Sequence, residues 1–280
     1  MDARTAGDRA DADSLRPVEP SGPVAAPVDA APLIGVLDEG VAAVQRALRS
    51  LDDLRRPGNR KGQYALDLAA DEAICGVLLA HGLDVMSEES GYTRGSETST
   101  AARAGGALLA VVDPVDGSTN ASIGIPWFAT SICVLDEAGP LLSLVVNLAS
   151  GTRYEAVRGG GARRDGRDVS PSGCDALSKA VVGISGYPAG RAGWAQFRAL
   201  GAASLDICAV AEGVLDGYRV AGRSSLNGWD YLAAVHVCVE AGAFVAELDG
   251  RDLVVRDAQP RRPAAAATAA LLAEVAVAPV

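Results

Sequence analysis

Histidine is nearly absent from this 280-residue chain: His81 and His236 are the only two. Each sits among apolar residues at helical spacing and reads as a core or surface residue satisfied by its neighbours. That scarcity weakens any Ser-His-Asp or Cys-His scheme, and any phosphohistidine intermediate. The five cysteines (Cys75, Cys133, Cys174, Cys208 and Cys238) are odd in number, far apart and free of C-x-x-C spacing. Neither a disulfide framework nor a zinc site is indicated, and buried thiols are expected. No apolar run reaches the ~18 to 20 uncharged residues of a membrane span. Met1-Asp2-Ala3-Arg4 leads into further charges instead of the apolar block of a signal peptide, so the expectation is a soluble, cytoplasmic protein with no membrane partner. There is no Lys/Arg block either, and at a net charge of −10 a nucleic-acid surface is not expected. Part of that negative charge is available as metal-ligand carboxylate.

What the chain does have is one dense stretch, Val111-Val112-Asp113-Pro114-Val115-Asp116-Gly117-Ser118-Thr119-Asn120, closing an apolar run that begins at Ala107. The run suits a buried strand. Pro114 interrupts regular pairing between the two acids, so Asp113 and Asp116 can turn toward one point with the Val115 carbonyl between them. Hard cations such as Mg²⁺ take such oxygen ligands and complete their shell with water and phosphate. Gly117-Ser118-Thr119-Asn120 then reads as a turn into a helix start, where free N–H groups favour an anion. A cation site abutting an anion site is the layout of a phosphate-ester enzyme, although a strand followed by an Asp/Gly/Ser/Asn turn also occurs for structure alone.

Taken in order, residues 1–30 are Ala/Asp/Pro-rich and read as a disordered tail. Ile34, Leu37, Val41, Val44, Leu48 and Leu51 predict a helix to about Leu54, before Pro57-Gly58. A second helix ends near His81-Gly82; in it Asp67 reads as an N-cap, and Asp71 and Glu72 as first-turn acids. A short strand at 83–86 precedes the adjacent acids Glu88 and Glu89, and residues 92–106 are small and polar, a mobile excursion. Antiparallel strands follow at 130–135, 141–148 and 153–157, with Gly159-Gly160-Gly161 a hairpin turn. From about 175 the pattern alternates: strand 180–184, helix 193–200, helix 204–213, strand 215–220, helix 229–241, strand 244–248, and a last strand and helix between 264 and 275. Asp230 reads as the N-cap of its helix.

The 111–120 stretch resembles the D-P-[VI]-D-G-[ST]-T-N signature of the inositol monophosphatase family of magnesium-dependent phosphatases. Ser87-Glu88-Glu89-Ser90 is similar to that family's [GS]-E-E-[ST] element. Lys61-Gly62 with Asp71 resembles its K-G…[VT]-T-x-x-D pattern, with Asp67-Leu68 standing where the pattern has an apolar residue and a threonine. Trp229-Asp230-Tyr231-Leu232-Ala233-Ala234, continuing to Glu240-Ala241-Gly242, resembles W-D-x-x-A-[AG] and E-A-G. Gly201-Ala202-Ala203-Ser204-Leu205-Asp206 resembles G-S-A-A-L-D, with Asp206 structural. The resemblance covers roughly residues 33 to 278.

It implies a two-lobe α/β fold, a layered α/β/α/β/α sandwich with an N-terminal lobe at 31–174, a C-terminal lobe at 175–280 and the metal site between them. It implies two or three Mg²⁺ held by Glu88, Asp113, the Val115 carbonyl, Asp116 and Asp230. Asp71 with the Ser118 hydroxyl would position the attacking water, and Gly117 and Ser118 N–H groups would receive phosphate. The implied substrate is a small phosphorylated metabolite and the implied assembly a homodimer. Inositol monophosphatase, 3′-phosphoadenosine 5′-phosphate phosphatase, fructose-1,6-bisphosphatase and histidinol-phosphatase activities stay open, as does a non-catalytic metabolite-binding regulator. Where inositol-binding relatives carry a glutamate this chain has Arg219; Arg219 and Arg223 are the candidates to pair with a second phosphate or a carboxylate of the substrate.

Overall fold

A computed structural model describes residues 30–95, 108–188, 190 and 192–279; the expected N-terminal tail and most of the 92–106 excursion lie outside them. The first helix, α1 (Ala31–Arg49), buries Leu37, Val41 and Val44 along one face. It stops five residues short of the expected end. Leu51 and Leu54 still pack on the same core, because apolar contact there does not require helical backbone. In α2 (Ala65–Ala80), Leu66, Ala70, Ile74 and Leu78 form the core stripe, and Asp67, Asp71 and Cys75 form the stripe beside it.

The first sheet runs β2 (Gly91–Thr93), β1 (Asp84–Ser87), β3 (Leu109–Asp116), β4 (Ala129–Asp136), β5 (Gly139–Asn147), β6 (Arg153–Val157), β7 (Gly161–Arg164) and β8 (Arg167–Asp168). Only β1 and β3 run parallel; the remaining pairs are antiparallel, with Gly159 and Gly161 at positive φ in the β6–β7 hairpin. The second sheet runs β10 (Gln196–Arg198), β9 (Val181–Ser185), β11 (Gly217–Val220), β13 (Pro263–Ala266) and β12 (Phe244–Glu247).

Strand alternation sorts the side chains into three cores. Val112, Ile132 and Leu144 face α1 and α2. Val111, Cys133 and Val145 face the opposite way, onto α4 (Ala203–Ala211) and α5 (Gly228–Ala241), whose other side meets Tyr218 and Val245 of the second sheet. Val182, Ala264 and Ala266 pack outward on α6 (Ala269–Val277). The result is the layered α/β/α/β/α sandwich that was expected. Every residue of α4 is buried, as a helix held between two sheets must be.

One element is corrected. Residues 193–200 are not helical; Gln196–Arg198 form edge strand β10, parallel to β9. Trp194 and Phe197 mimic a helical step, but Gly193 and Gly201, both at positive φ, bracket too few residues for a stable helix. Among the described residues no helix is long and apolar enough to cross a membrane. His236 is buried, its Nδ1 2.9 Å from Ser143 Oγ, and His81 lies 3.1 Å from Glu39 at the surface.

Candidate active site

Because β1 and β3 run parallel, both release the chain at one edge of the first sheet. Glu88 follows β1 immediately, its N–H donating to Val112 O at 3.3 Å. On β3, Asp113 pairs with Ser131 and Asp116 with Ala129, so three steps on one strand meet two on the other and one residue is extra. This is a β-bulge. Pro114 has no N–H to lose there; its carbonyl accepts the Thr130 hydroxyl at 2.8 Å, and Asp113 Oδ1 accepts the Val115 N–H at 3.0 Å. The bulge resets the alternation: Val115 joins the α1/α2 core, while Asp113 and Asp116 both turn to the middle layer.

α5 meets them there. Its N-cap is Asn227, and Asp230 is its third residue, correcting the expected cap; Asp230 Oδ2 accepts the Asn227 N–H at 2.7 Å. Glu88, Asp113 and Asp230 each offer an oxygen within 4.8 Å of the other two. Among the described residues no arginine or lysine pairs with any of the three. Burial first, then the neighbouring acids, raises Asp113 and Asp230 well above the usual carboxylate range. Glu88 reaches solvent at the rim, yet partial burial, followed by Glu89, Asp67 and Asp116, pushes it up to about 7. A partly buried cluster of carboxylates without a paired counter-ion is complementary to a cation, and its all-oxygen donor set fits a hard one.

Asp116 stands beside this cluster with its oxygens engaged. Oδ2 accepts the N–H of Ser204 at 2.7 Å and its hydroxyl at 2.5 Å, and Oδ1 accepts the Ala203 N–H at 3.3 Å. It thus closes the N-terminus of α4; burial raises it to about 6 against those bonds. Gly117, at φ 85°, turns the chain into α3 (Ser118–Ile123). An added Cβ there would lie 3.0 Å from Gly201 O, so glycine is required on both counts. A cavity of about 380 Å³ lies beside the cluster, walled by Lys61, Asp67, Glu88, Glu89, Ser118 and Trp229, so that Glu88 is the clustered acid it reaches. A larger hollow of about 600 Å³ lies at the sheet rim between Arg164, Arg167 and Glu212. Arg164 and Glu212 pair with each other, and the cluster contributes nothing to that wall.

A family model described as the inositol monophosphatase family matches residues 36–278. The chain belongs to the inositol monophosphatase family. It is 34% identical over 154 residues to an inositol-1-monophosphatase of Mesorhizobium japonicum, covering 50% of this chain and 57% of that protein. A Pasteurella multocida protein named Nus factor SuhB is 28% identical over 218 residues, 71% of this chain and 77% of its own. In three dimensions the chain matches a Pyrococcus horikoshii protein with similarities to inositol-1 monophosphatase at TM-score 0.76 and 25% identity, over 89% of this chain and 98% of that one. The first curated relatives are thus matched over little more than half their length.

Asp71, like Asp113 and Asp230, is not on the wall of the 380 Å³ cavity. Its Oδ1 accepts Ser87 Oγ at 2.5 Å and Ser90 Oγ at 3.3 Å, with Cys75 Sγ at 3.5 Å. Arg219 requires a correction as a substrate residue: it is buried, and its Nη1 donates to Val275 O at 2.6 Å and Ala278 O at 2.7 Å, at the C-terminus of α6. Strand parity explains this, since Tyr218 and Val220 face the middle layer and Arg219 must face outward. Arg223 is exposed in a turn. Asp206 is structural as expected, Oδ1 accepting Trp127 Nε1–H at 2.7 Å. Sequence reasoning missed the brace over the site, where Arg60 and Gln63 both donate to Glu89 Oε2 and Gln63 Oε1 accepts the Asn59 N–H at 2.8 Å. It also missed Asn120, whose Nδ2 donates to Trp127 O and Leu200 O, both at 2.7 Å.

Proposed function

We propose that this protein is a Mg²⁺-dependent phosphomonoesterase acting on a small phosphorylated metabolite. The observation that carries the reading is the convergence of Glu88, Asp113 and Asp230 oxygens within 4.8 Å, without a cationic partner among the described residues, beside the first turn of α3. These three, with the Val115 carbonyl and a remaining lone pair of Asp116, would hold two or three Mg²⁺. Bound there, the metal supplies Lewis-acid stabilisation of phosphoryl charge and a more acidic water. The residues do the rest: Gly117 and Ser118 N–H groups receive phosphate oxygens, the Ser118 hydroxyl orients the water, and Trp229 and Lys61 bound the space left for the leaving group. Inositol monophosphate is the first substrate to test, with adenosine bisphosphate, fructose bisphosphate and histidinol phosphate as rivals. The resemblance also implies a homodimer, which sedimentation tests directly.

Phosphate release from that panel, with and without Mg²⁺, should show metal-dependent turnover that Asp113→Asn abolishes. The kcat/KM ranking then selects the substrate. A second reading, a regulator that binds without hydrolysis, is favoured by the likeness to a protein named a Nus factor. Mg²⁺ binding without release from any compound would establish it instead.

A further inference from the structure

The chain that leads into α2 is a loop packed around one of its own side chains. Gly58 N–H donates to Gln63 O at 2.8 Å and Gln63 N–H to Arg60 O at 3.2 Å, while Gln63 Oε1 turns back to accept the Asn59 and Arg60 N–H groups at 2.8 and 3.1 Å. A Cβ added at Gly58 would lie 2.7 Å from Gln63 Cγ, so glycine leaves the room that Gln63 fills. The base of the loop is tied down by the Ala65 N–H on Arg56 O at 2.8 Å and by Arg55 Nε on Ser122 O at 3.1 Å. For the tip, residues 59–63, the bonds to the rest of the chain among the described residues are the two that Arg60 and Gln63 donate to Glu89 Oε2. The Glu89 side chain is 7% exposed and directly follows the clustered acid Glu88. Arg60 is spent on Glu89. The cation that the tip brings unspent to the wall of the 380 Å³ cavity is Lys61, which has no ion pair among the described residues.

We propose that Gln63 is a positioning residue whose latch on Glu89 holds Lys61 at the cavity wall, where the ammonium meets the anionic substrate. The inference rests on the phosphomonoesterase reading. A lysine is a point charge on a flexible four-carbon stem, so it is placed only as well as the backbone that carries it. Gln63 suits the latch because an amide has both an acceptor and donors. Its Oε1 closes the loop on itself, and its Nε2 reaches out to the acid. A bond from an amide to a carboxylate is of the charge-assisted kind, stronger than one between neutral groups. Gln63 takes no part in the chemistry; it acts through Lys61.

Gln63→Glu keeps the acceptor for Asn59 and Arg60, loses the donor and sets a second charge against Glu89; Gln63→Met removes the donor without adding charge. In the double variant Gln63→Glu/Glu89→Gln, donor and acceptor change places and the latch closes again. The test reads trypsin cleavage after Arg60 and Lys61 in the folded chain by mass spectrometry, and steady-state kinetics beside Lys61→Met and Asp113→Asn. Both single Gln63 variants should be cut at the tip about tenfold faster or more, the worth of a bond to a charged group, and the double variant within about threefold of the parent rate. KM should rise about tenfold in each single variant with kcat within about threefold, as when uniform binding is lost, and should return in the double variant. Lys61→Met should raise KM alike, and adding Gln63→Met to it should raise KM no further. The proposal is overturned if Gln63→Met leaves tip cleavage at the parent rate, if cleavage rises while KM stays, or if the Lys61 and Gln63 effects multiply. Turnover surviving Asp113→Asn, or absent from the parent chain, removes the phosphomonoesterase reading, and this inference with it. Trypsin cleavage needs no substrate, and so tells that failure from a failure of the latch.

Discussion

Two carboxylate centres in this protein, each with a buried acid, Glu247 and Asp113, end in opposite states. At the end of β12, Glu247 accepts Arg251 Nη2 at 2.6 Å and the N–H groups of Asp249, Arg251 and Arg262 at 2.8, 3.1 and 2.9 Å. Burial alone would raise its pKa, but Arg251 and the three N–H groups overcome that and hold it below the usual glutamate range. Beside the 380 Å³ cavity that Glu88 lines, Glu88, Asp113 and Asp230 have each other and, among the described residues, no ion pair with an arginine or lysine. The difference is one of compensation: the chain completes the Glu247 centre from its own residues, while the other cluster could hold a metal. An uncompensated group of acids is the better pointer to a functional site.

The widest separation between the centres should come from neutralising one acid in each. Asp113→Asn should lower turnover by about 10³-fold, since metal stabilisation of the transition state is worth several kcal/mol, while raising Tm in chelator-treated protein by relieving like-charge repulsion. A fall in that Tm would mean the cluster is already compensated. Glu247→Ala should do the reverse, orphaning three N–H donors at a cost of about 1 to 3 kcal/mol in urea unfolding, with kcat per folded molecule unchanged.

The pH dependence should sharpen the contrast. Glu88 and Asp116 have folded-state values raised to about 7 and about 6. Between their unfolded values near 4 and these, the folded chain binds more protons, so metal-free stability falls as pH climbs from about 4 to 7. Glu247 has the opposite sign; its contribution is present above its unfolded value and is lost as pH falls through its lowered folded one. Melting curves should thus show Mg²⁺ raising Tm more at pH 8 than at pH 5, and an equal rise at both would break the comparison. The smallest effect belongs to Arg219→Met. Removing a cation from the C-terminus of α6 should cost about 1 kcal/mol and leave KM untouched for every substrate. A KM change beyond about threefold would return Arg219 to the substrate.

The five layers and the meeting of Glu88, Asp113 and Asp230 were expected because the 111–120 stretch, Ser87-Glu88-Glu89-Ser90 and Trp229-Asp230 resemble the motifs of the inositol monophosphatase family; their residues alone read as a strand end, a loop and a helix start. The interruption at Pro114 was legible from the residues themselves, because proline ends regular pairing. What stayed hidden depends on choices a residue type does not record. Asp67 and Asp71 lie one turn apart on one face of α2, and only the packing of that helix decides that Asp67 is the one on the cavity wall. Reading Asp67 and Asp230 as caps located both helix starts to within a turn but concealed that a third-position acid keeps one oxygen free. Arg219 shows the matching limit on a strand, where the side of the sheet must be known before the residue can be given a partner. Trp194 and Phe197 show it at an edge, where two glycines outweigh apolar spacing.

Asn120, which fastens Trp127 to Leu200, and Asp116, which holds Ser204, have a consequence for how the molecule comes into being. The turn that carries the carboxylates is also the clasp that fixes the later half of the chain to the earlier one. Asp113 gains Asp230 only when α5 has docked. Order of assembly and competence are therefore the same event, and the return of turnover after dilution from denaturant would time the closing of the middle layer rather than the pairing of the first strands.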